Sequence, residues 1–323
     1  MRCTGKYFIS LCCAAGISAV LTGCGAKGVV TSYEVENYNK NVYQESLYAE
    51  DLCVSDTDIS IEGFHGDSSL HAAALFDLNN QKVAYSENLH KKNYPASTTK
   101  ILTALVAMEN SNMDDVVTIS SDAAASAFAI DAQVCGLKQG DQITMEALLN
   151  GLLLHSGNDN AVAIAEYIGG SVEEFVNMMN ERARSLMATN THFVTPNGLH
   201  DENHYTTAYD LYLIFNECIK HEEFIEIISS DYYTADITGV DGSYRQVTWY
   251  PTSFYAKGEA ALPSGAQVIG GKTGYTGEAG NCLILLDEDA EGNRYISIVL
   301  GAESKPLLYE DMTAVIDQIP NIN

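Results

Sequence analysis

The chain has 323 residues, 46% of them hydrophobic, 19% charged and only six of them proline. That is a globular composition, long enough for one large domain or two smaller ones and for a core that folds without disulfide staples. The formal charge of −26 gives a surface that repels polyanions, which argues against nucleic acid as a partner and says little about fold.

In chain order, the first predicted element stands outside that core. Residues 1–6 carry Arg2 and Lys6, residues 7–21 are apolar and uncharged, and Leu21-Thr22-Gly23-Cys24 closes the run. A basic start, a short apolar stretch and a small-residue cut site describe an export signal over residues 1–23. About fifteen apolar residues are too few to span a bilayer comfortably. The Leu-x-Gly-Cys ending resembles the lipobox of bacterial lipoproteins. The resemblance implies that Cys24 is acylated and anchors the mature chain to a membrane; a plain secretory signal is the alternative. Loss of Arg2 and Lys6 takes the formal charge to about −28. Residues 24–58 are polar, acidic, rich in tyrosine and aperiodic, and read as a tether with a reach on the order of 30 Å. Beyond Cys24 the cysteines are Cys53, Cys135, Cys218 and Cys282. They have no C-x-x-C or other metal-site spacing. An oxidising compartment allows one or two disulfides, and the sequence chooses no pairing.

Residues 59–323 read as one catalytic domain. HAAALFDL and QKVAYSEN flank the turn-forming pair Asn79-Asn80 and predict a β-hairpin. Pro95 precedes Ser97-Thr98-Thr99 and an apolar run at helical spacing: Ile101, Leu102, Leu105 and Val106. A short strand is expected at residues 115–120. Two helical stretches then follow, broken at Ser156-Gly157-Asn158. SVEEFVNMMNERARSLM and TTAYDLYLIFNECIK have the pattern of amphipathic helices. The last quarter changes period: RQVTWY, AQVIGGKTGYT, NCLILLDE and RYISIVLGA predict strands, and residues 304–318 a closing helix. Strands at both ends with helices between imply an α+β domain whose sheet uses both ends of the chain.

Three short motifs carry chemistry. In Ser97-Thr98-Thr99-Lys100 the i, i+3 spacing puts the lysine on the face of the serine hydroxyl, a poor nucleophile until a base takes its proton. A lysine acts as that base only when neutral, a state favoured by burial and by a second cation nearby. Alone the motif is weak, since a helix-capping serine followed by a surface lysine is common. Ser156-Gly157-Asn158, in the helix break, presents a hydroxyl and a carboxamide; alone it reads equally as a turn. Lys272-Thr273-Gly274 lies on a predicted strand. There a lysine and a hydroxyl can receive a carboxylate, and a glycine lets a peptide lie close as an added strand. Gly271-Lys272-Thr273 also ends like a phosphate loop, but Ala266 stands where the first glycine belongs and no helix follows.

S-x-x-K, S-D-N and K-T-G form the motif set of penicillin-binding proteins and class A β-lactamases. YPASTTKILTAL, LLLHSGNDNAVAIAEYIGGS, FVTPNGLHDENHYTTAYDL and GGKTGYTGEAGNCL resemble blocks of the low-molecular-weight penicillin-binding proteins of the serine D-alanyl-D-alanine carboxypeptidase family, from about residue 70 to about 302. The resemblance implies a penicillin-binding-protein or β-lactamase-like fold, an antiparallel sheet flanked by helices plus a mostly helical subdomain. It implies attack of Ser97 on the penultimate D-alanine of a peptidoglycan pentapeptide stem, with Lys100 as general base. Ser156 and Lys272 pass the proton, Asn158 holds the substrate amide, and Thr273 and Gly274 receive the chain terminus. The N–H groups of Ser97 and Tyr275 form the oxyanion hole. β-Lactams are implied as covalent inhibitors, and neither metal nor organic cofactor is required. Two departures stand out: residues 254–269 fit the family poorly, and Lys305 is the only cation after Arg294, where relatives place a basic residue. The chain stops about fifty residues after Lys272, so the additional β-rich C-terminal domain of many relatives is expected to be missing.

Three further readings stay open. A D,D-endopeptidase would use the same residues; a β-lactamase needs a deacylating glutamate, for which Glu202 is the nominee; and a non-enzymatic β-lactam sensor would not need three intact motifs. His200 and His204 stand at i, i+4, but their glycine-rich approach favours a loop over a metal pair.

Overall fold

The computed structural model describes residues 49, 51–66 and 70–322. The export signal, Cys24 and most of the acidic segment lie outside the described residues. One compact unit begins at Leu52, earlier than the expected tether boundary at residue 58. Cys53 is buried with its N–H donating to the Tyr212 hydroxyl at 2.9 Å, and the Asp58 carboxylate accepts the N–H groups of Asn88 and Leu89 at 2.9 Å each. Composition marks Leu52–Asp58 as tether, but these long-range bonds seat it on the domain.

The expected hairpin is β1 (Ala72–Asp77) and β2 (Lys82–Glu87). Asp77 shapes its turn by accepting the N–H groups of Asn79 and Asn80 at 3.0 and 3.1 Å. A 3-10 turn, Ala96–Thr99, leads into α1 (Lys100–Asn110). Then come β3 (Val116–Thr118), β4 (Gln142–Thr144), α2 (Met145–Leu153), α3 (Asn158–Gly169), α4 (Val172–Ser185) and α5 (Ala208–Cys218). The chain continues through α6 (Glu222–Ile228), β5 (Tyr233–Thr238), β6 (Tyr244–Trp249) and α7 (Phe254–Lys257). It closes with β7 (Gln267–Thr276), β8 (Gly280–Glu288), β9 (Arg294–Ala302) and α8 (Lys305–Ile316). Hydroxyl side chains cap several helices: Ser171 accepts the N–H of Glu174, Thr207 that of Asp210 and Ser304 that of Leu307.

The main sheet has the antiparallel order β2-β1-β9-β8-β7, so both ends of the chain build it. Its strands β1, β8 and β9 are buried on both faces, with alternate residues going to opposite sides, whereas β7 is mostly half-buried. Ala72, Ala74, Phe76, Ile284, Ile298 and Leu300 join the large core under α1 and α5, while Ala73, Leu75, Leu283, Leu285 and Val299 pack with Leu308, Met312 and Val315 of α8. α1 runs through the larger core, buried on nearly every face from Ile101 to Ala107. A second sheet, order β3-β4-β5-β6, is absent from the sequence expectation; its strands are short or half exposed and give no strong alternation. β7 lies at the edge of the main sheet, hydrogen-bonded to β8 on one side.

One core position opposes the rest. Asp287 on β8 is fully buried, takes a hydrogen bond from the Ser297 hydroxyl at 2.6 Å, and has one carboxylate oxygen with no partner. Burial pushes its pKa up to about 7. The folded-state value lies above the unfolded one, so its ionisation penalty is absent below about pH 4, grows as pH rises, and is complete above pH 7. Asp287→Asn is expected to flatten the fall in thermal stability between pH 5 and pH 8 by an amount on the order of 2–4 kcal/mol. Melting curves at the two pH values check this, and an unchanged slope would mean that the carboxyl is already ionised in the fold.

Candidate active site

The nucleophile candidate sits where backbone geometry, not helix propensity, decides the shape. Ala96 has φ +48°, a left-handed conformation costly for a residue with a Cβ, and turns the chain sharply before Ser97. Two hydroxyls hold the turn: Thr98 donates to the Pro95 carbonyl at 2.7 Å and Thr99 to the Ala96 carbonyl at 2.8 Å. Ala96, Thr98 and Thr99 are buried and Ser97 is half-buried, so the turn offers the cleft one hydroxyl.

Lys100 is completely buried, with its Nζ 2.9 Å from Ser97 Oγ, 2.8 Å from Asn158 Oδ1 and 2.7 Å from the Asn197 carbonyl. Burial first, and the charge of Lys272 second, hold the amine well below the ordinary lysine range. A neutral amine has two hydrogens and one lone pair. Asn158 Oδ1 and the Asn197 carbonyl can only accept, so they take both hydrogens. The lone pair is then left facing the Ser97 hydroxyl.

A second lysine–serine pair stands across the cleft. Lys272 is buried on β7 and donates to Ser156 Oγ at 2.9 Å and to the Thr273 carbonyl at 2.8 Å; burial lowers its pKa to about 7. Ser156 occupies the break between α2 and α3 at φ +64°. Asp159, in the first turn of α3, anchors the loop that precedes β4 by accepting the N–H groups of Cys135, Gly136 and Leu137 at 2.8 to 3.1 Å. Beyond Lys272, the hydroxyls of Thr273 and Thr252 lie 2.6 Å apart. Gly274 passes against the nucleophile turn: a Cβ there would stand 3.0 Å from both the Pro95 carbonyl oxygen and the Ser97 nitrogen. Tyr275 follows with its side chain 62% exposed, so its contribution to the cleft interior is main-chain. A cleft of about 480 Å³ joins Ser97, Ser156, Asn158, Thr273, Tyr275 and Lys305. Lys305 heads α8, its ammonium 5.5 Å from the centre of the Phe254 ring, which stacks on Tyr309.

A family model described as D-alanyl-D-alanine carboxypeptidase matches residues 65–304. The chain belongs to that family. It is 34% identical over 257 residues to the D-alanyl-D-alanine carboxypeptidase DacF of Bacillus subtilis, covering 76% of this chain and 61% of that protein. It is 32% identical over 245 residues to DacD of Escherichia coli, covering 73% and 59%. The chain thus spans about three fifths of the length of these curated relatives. Among solved structures, the Streptomyces K15 DD-transpeptidase aligns with a TM-score of 0.73 at 30% identity, over 80% of this chain and 100% of that one. Penicillin-binding protein 6B of Escherichia coli aligns with a TM-score of 0.68 at 28% identity, over 80% of each chain. The fold is therefore that of the penicillin-binding D,D-peptidases.

Within the matched domain, the three motifs meet in one cleft although nearly 120 residues separate Ser156 from Lys272. Glu202 lines a different pocket, with His71, Lys91, Lys92, Tyr94 and Tyr205, and not the cleft of Ser97. His200 and His204 diverge: His200 stacks edge-on against Tyr94, and His204 is buried against Thr99. Among the described residues, no group of three or more His, Cys, Asp or Glu is placed to hold a metal. Among the described residues, Cys53, Cys135, Cys218 and Cys282 are buried and form no disulfide. Sequence reasoning missed Asn197, Thr252 and Thr99. Asn197 acts through its carbonyl, which no side-chain motif reveals. Thr252 lies two residues before the stretch that fits the family least, and Thr99 is one of the two unspecified positions inside the first motif.

Proposed function

We propose that this chain is a serine D-alanyl-D-alanine carboxypeptidase acting on peptidoglycan pentapeptide stems. The observation that carries the reading is the hydrogen-bond set of Lys100, which leaves a buried neutral amine one acceptor site, aimed at Ser97. Lys100 takes the hydroxyl proton as Ser97 Oγ bonds to the carbonyl carbon of the penultimate D-alanine. The carbonyl oxygen, now negative, is met by the N–H groups of Ser97 and Tyr275, beside the space that Gly274 leaves open. The proton passes by way of Ser156 and Lys272 to the departing nitrogen, the C–N bond breaks, and D-alanine leaves. Water then attacks the ester by the reverse proton route, and Ser97 is restored.

Substrate placement follows from the same walls. The edge of β7 not paired with β8 can take the peptide as an added strand. Asn158 meets its amide, and Thr273, Thr252 and Lys305 form a polar, cationic end for its carboxylate. A β-lactam presents the same carboxylate and a strained amide, and acylates Ser97. In this reading the chain works outside the cytoplasm, exported by residues 1–23 and held to the membrane by a lipid on Cys24. No helix among the described residues is long and apolar enough to cross a membrane.

The test follows benzylpenicillin and an acylated L-Lys-D-Ala-D-Ala peptide by mass spectrometry with the full chain in detergent. A lasting adduct on the Ser97 peptide and release of D-alanine are expected. Rapid penicillin turnover without D-alanine release would make the chain a β-lactamase, and a chain that forms no adduct, turns over no penicillin and releases no D-alanine would overturn the enzymatic reading.

A further inference from the structure

The mechanism leaves one buried titratable group beside the nucleophile unused. His204 is 2% exposed, its ring 5.4 Å from that of Phe193 and edge-on to it. Its Nδ1 receives the N–H groups of Val194 and Thr195 at 3.2 and 3.4 Å, so Nδ1 is the unprotonated nitrogen and Nε2 carries the hydrogen. Nε2 lies 2.8 Å from the Thr99 hydroxyl, which spends its own hydrogen on the Ala96 carbonyl at 2.8 Å. The hydrogen bonds therefore run in one direction, from His204 through Thr99 to the Ala96 oxygen. Burial lowers the pKa of the ring to about 4, so the chain keeps this direction at neutral pH.

The Ala96 carbonyl belongs to the same rigid peptide plane as the Ser97 N–H, and the two point in opposite directions. Fixing the oxygen therefore fixes the aim of that N–H, and polarising the oxygen strengthens the N–H as a donor. The plane needs such a hold, because Ala96 stands at φ +48°, a sparsely populated conformation that persists only where the surroundings fix it. We infer that His204 is a positioning residue for the oxyanion hole, orienting the Ser97 N–H through Thr99 and the Ala96 carbonyl. The inference rests on the acyl-transfer reading above and deepens it.

The experiment resolves penicillin acylation of the full chain into a non-covalent binding constant and an acylation rate constant. His204→Phe keeps the ring volume and removes the donor. It is expected to lower the acylation rate constant about 10- to 100-fold, with the binding constant within about twofold of wild type. His204→Gln retains an N–H for Thr99 and is expected to recover most of that loss. Thr99→Val breaks the same chain, so Thr99→Val combined with His204→Phe should lose no more than the worse single variant. The inference is overturned if folded His204→Phe acylates at the wild-type rate, if the loss lies in binding or merely follows the melting temperature across the three variants, or if the two substitutions multiply. A wild-type chain that neither forms the adduct nor releases D-alanine would instead remove the acyl-transfer reading, and this inference with it.

Discussion

Ser97→Ala is expected to abolish acylation, because it removes the oxygen that carries the acyl group, and Lys100→Met to lower the acylation rate by about 10³- to 10⁴-fold. A factor of 10⁴ is about 5 kcal/mol of transition-state stabilisation, the scale on which nucleophile and base act as one unit. Methionine matches the length of the lysine stem without its nitrogen. Lys100→Met leaves Asn158 Oδ1 and the Asn197 carbonyl without a donor, a cost of about 1–3 kcal/mol each that is offset by removing a buried polar group. A melting temperature within about 5 °C of wild type is expected, so that chemistry and folding separate. The pH dependence has a defined sign. With the Lys100 amine held well below its ordinary range, wild-type acylation reaches its plateau at a pH below the ordinary lysine range and falls as the pH is lowered. An unperturbed lysine would give a rate still climbing toward about pH 10. Stopped-flow acylation across pH decides between the two profiles, and a climbing profile would remove Lys100 as the base.

Gly198→Ala is expected to damage the site from the opposite wall. Gly198 has φ +82°, and a Cβ there would overlap the Ala96 carbonyl oxygen and lie 2.8 Å from Thr99 Oγ1. Backbone strain alone costs about 1–2 kcal/mol. The overlap adds to this, because the obstacle is main chain and cannot swing away. Either the loop bearing Asn197 retreats, taking an acceptor from Lys100, or the turn bearing Ser97 moves. We expect a fall of at least about 5 °C in melting temperature and a loss of at least about 10²-fold in acylation, as displacements near 1 Å produce. Gly242→Ala is the control: φ is +77°, nothing lies within 4 Å of the added Cβ, and the position is in the β5–β6 turn. It should cost the strain and leave acylation untouched. Equal behaviour of the two variants would mean that contact with Ala96 does not matter.

Much of the domain was legible because its signals are local. Asn79-Asn80 between two apolar runs gave the hairpin, and unbroken apolar stretches such as NCLILLDE gave strands buried on both faces. The phosphate-loop resemblance at Gly271 could be rejected because the residues after it read as turn and strand, and Lys272 does lie inside β7. What stayed hidden depends on partners far away in sequence. β4 has three residues and touches β5 at a single register pair, Gln142 with Thr238, so neither strand advertises the second sheet. Leu52–Asp58 is polar by composition, yet Cys53 meets Tyr212 across 159 residues. His204 invited comparison with a metal ligand because histidine spacing is visible in sequence. Its acceptor, a hydroxyl 105 residues earlier, is not.

The edge position of β7 has a consequence for the whole molecule. An unpaired strand edge, which the proposed function opens to a substrate's backbone, is also a template on which a second copy of the protein could zip, the usual route from a sheet edge to aggregation. Blunting it with proline beside Lys272–Tyr275 would close it to peptide. The guard has to act at a distance, and the formal charge of −26 supplies one. Two acidic bodies repel within a screening length of about 8 Å at physiological salt, while a short peptide carrying little charge approaches freely. The acidity that looked uninformative about the fold thus serves as colloidal protection for a sheet that must remain open on one side.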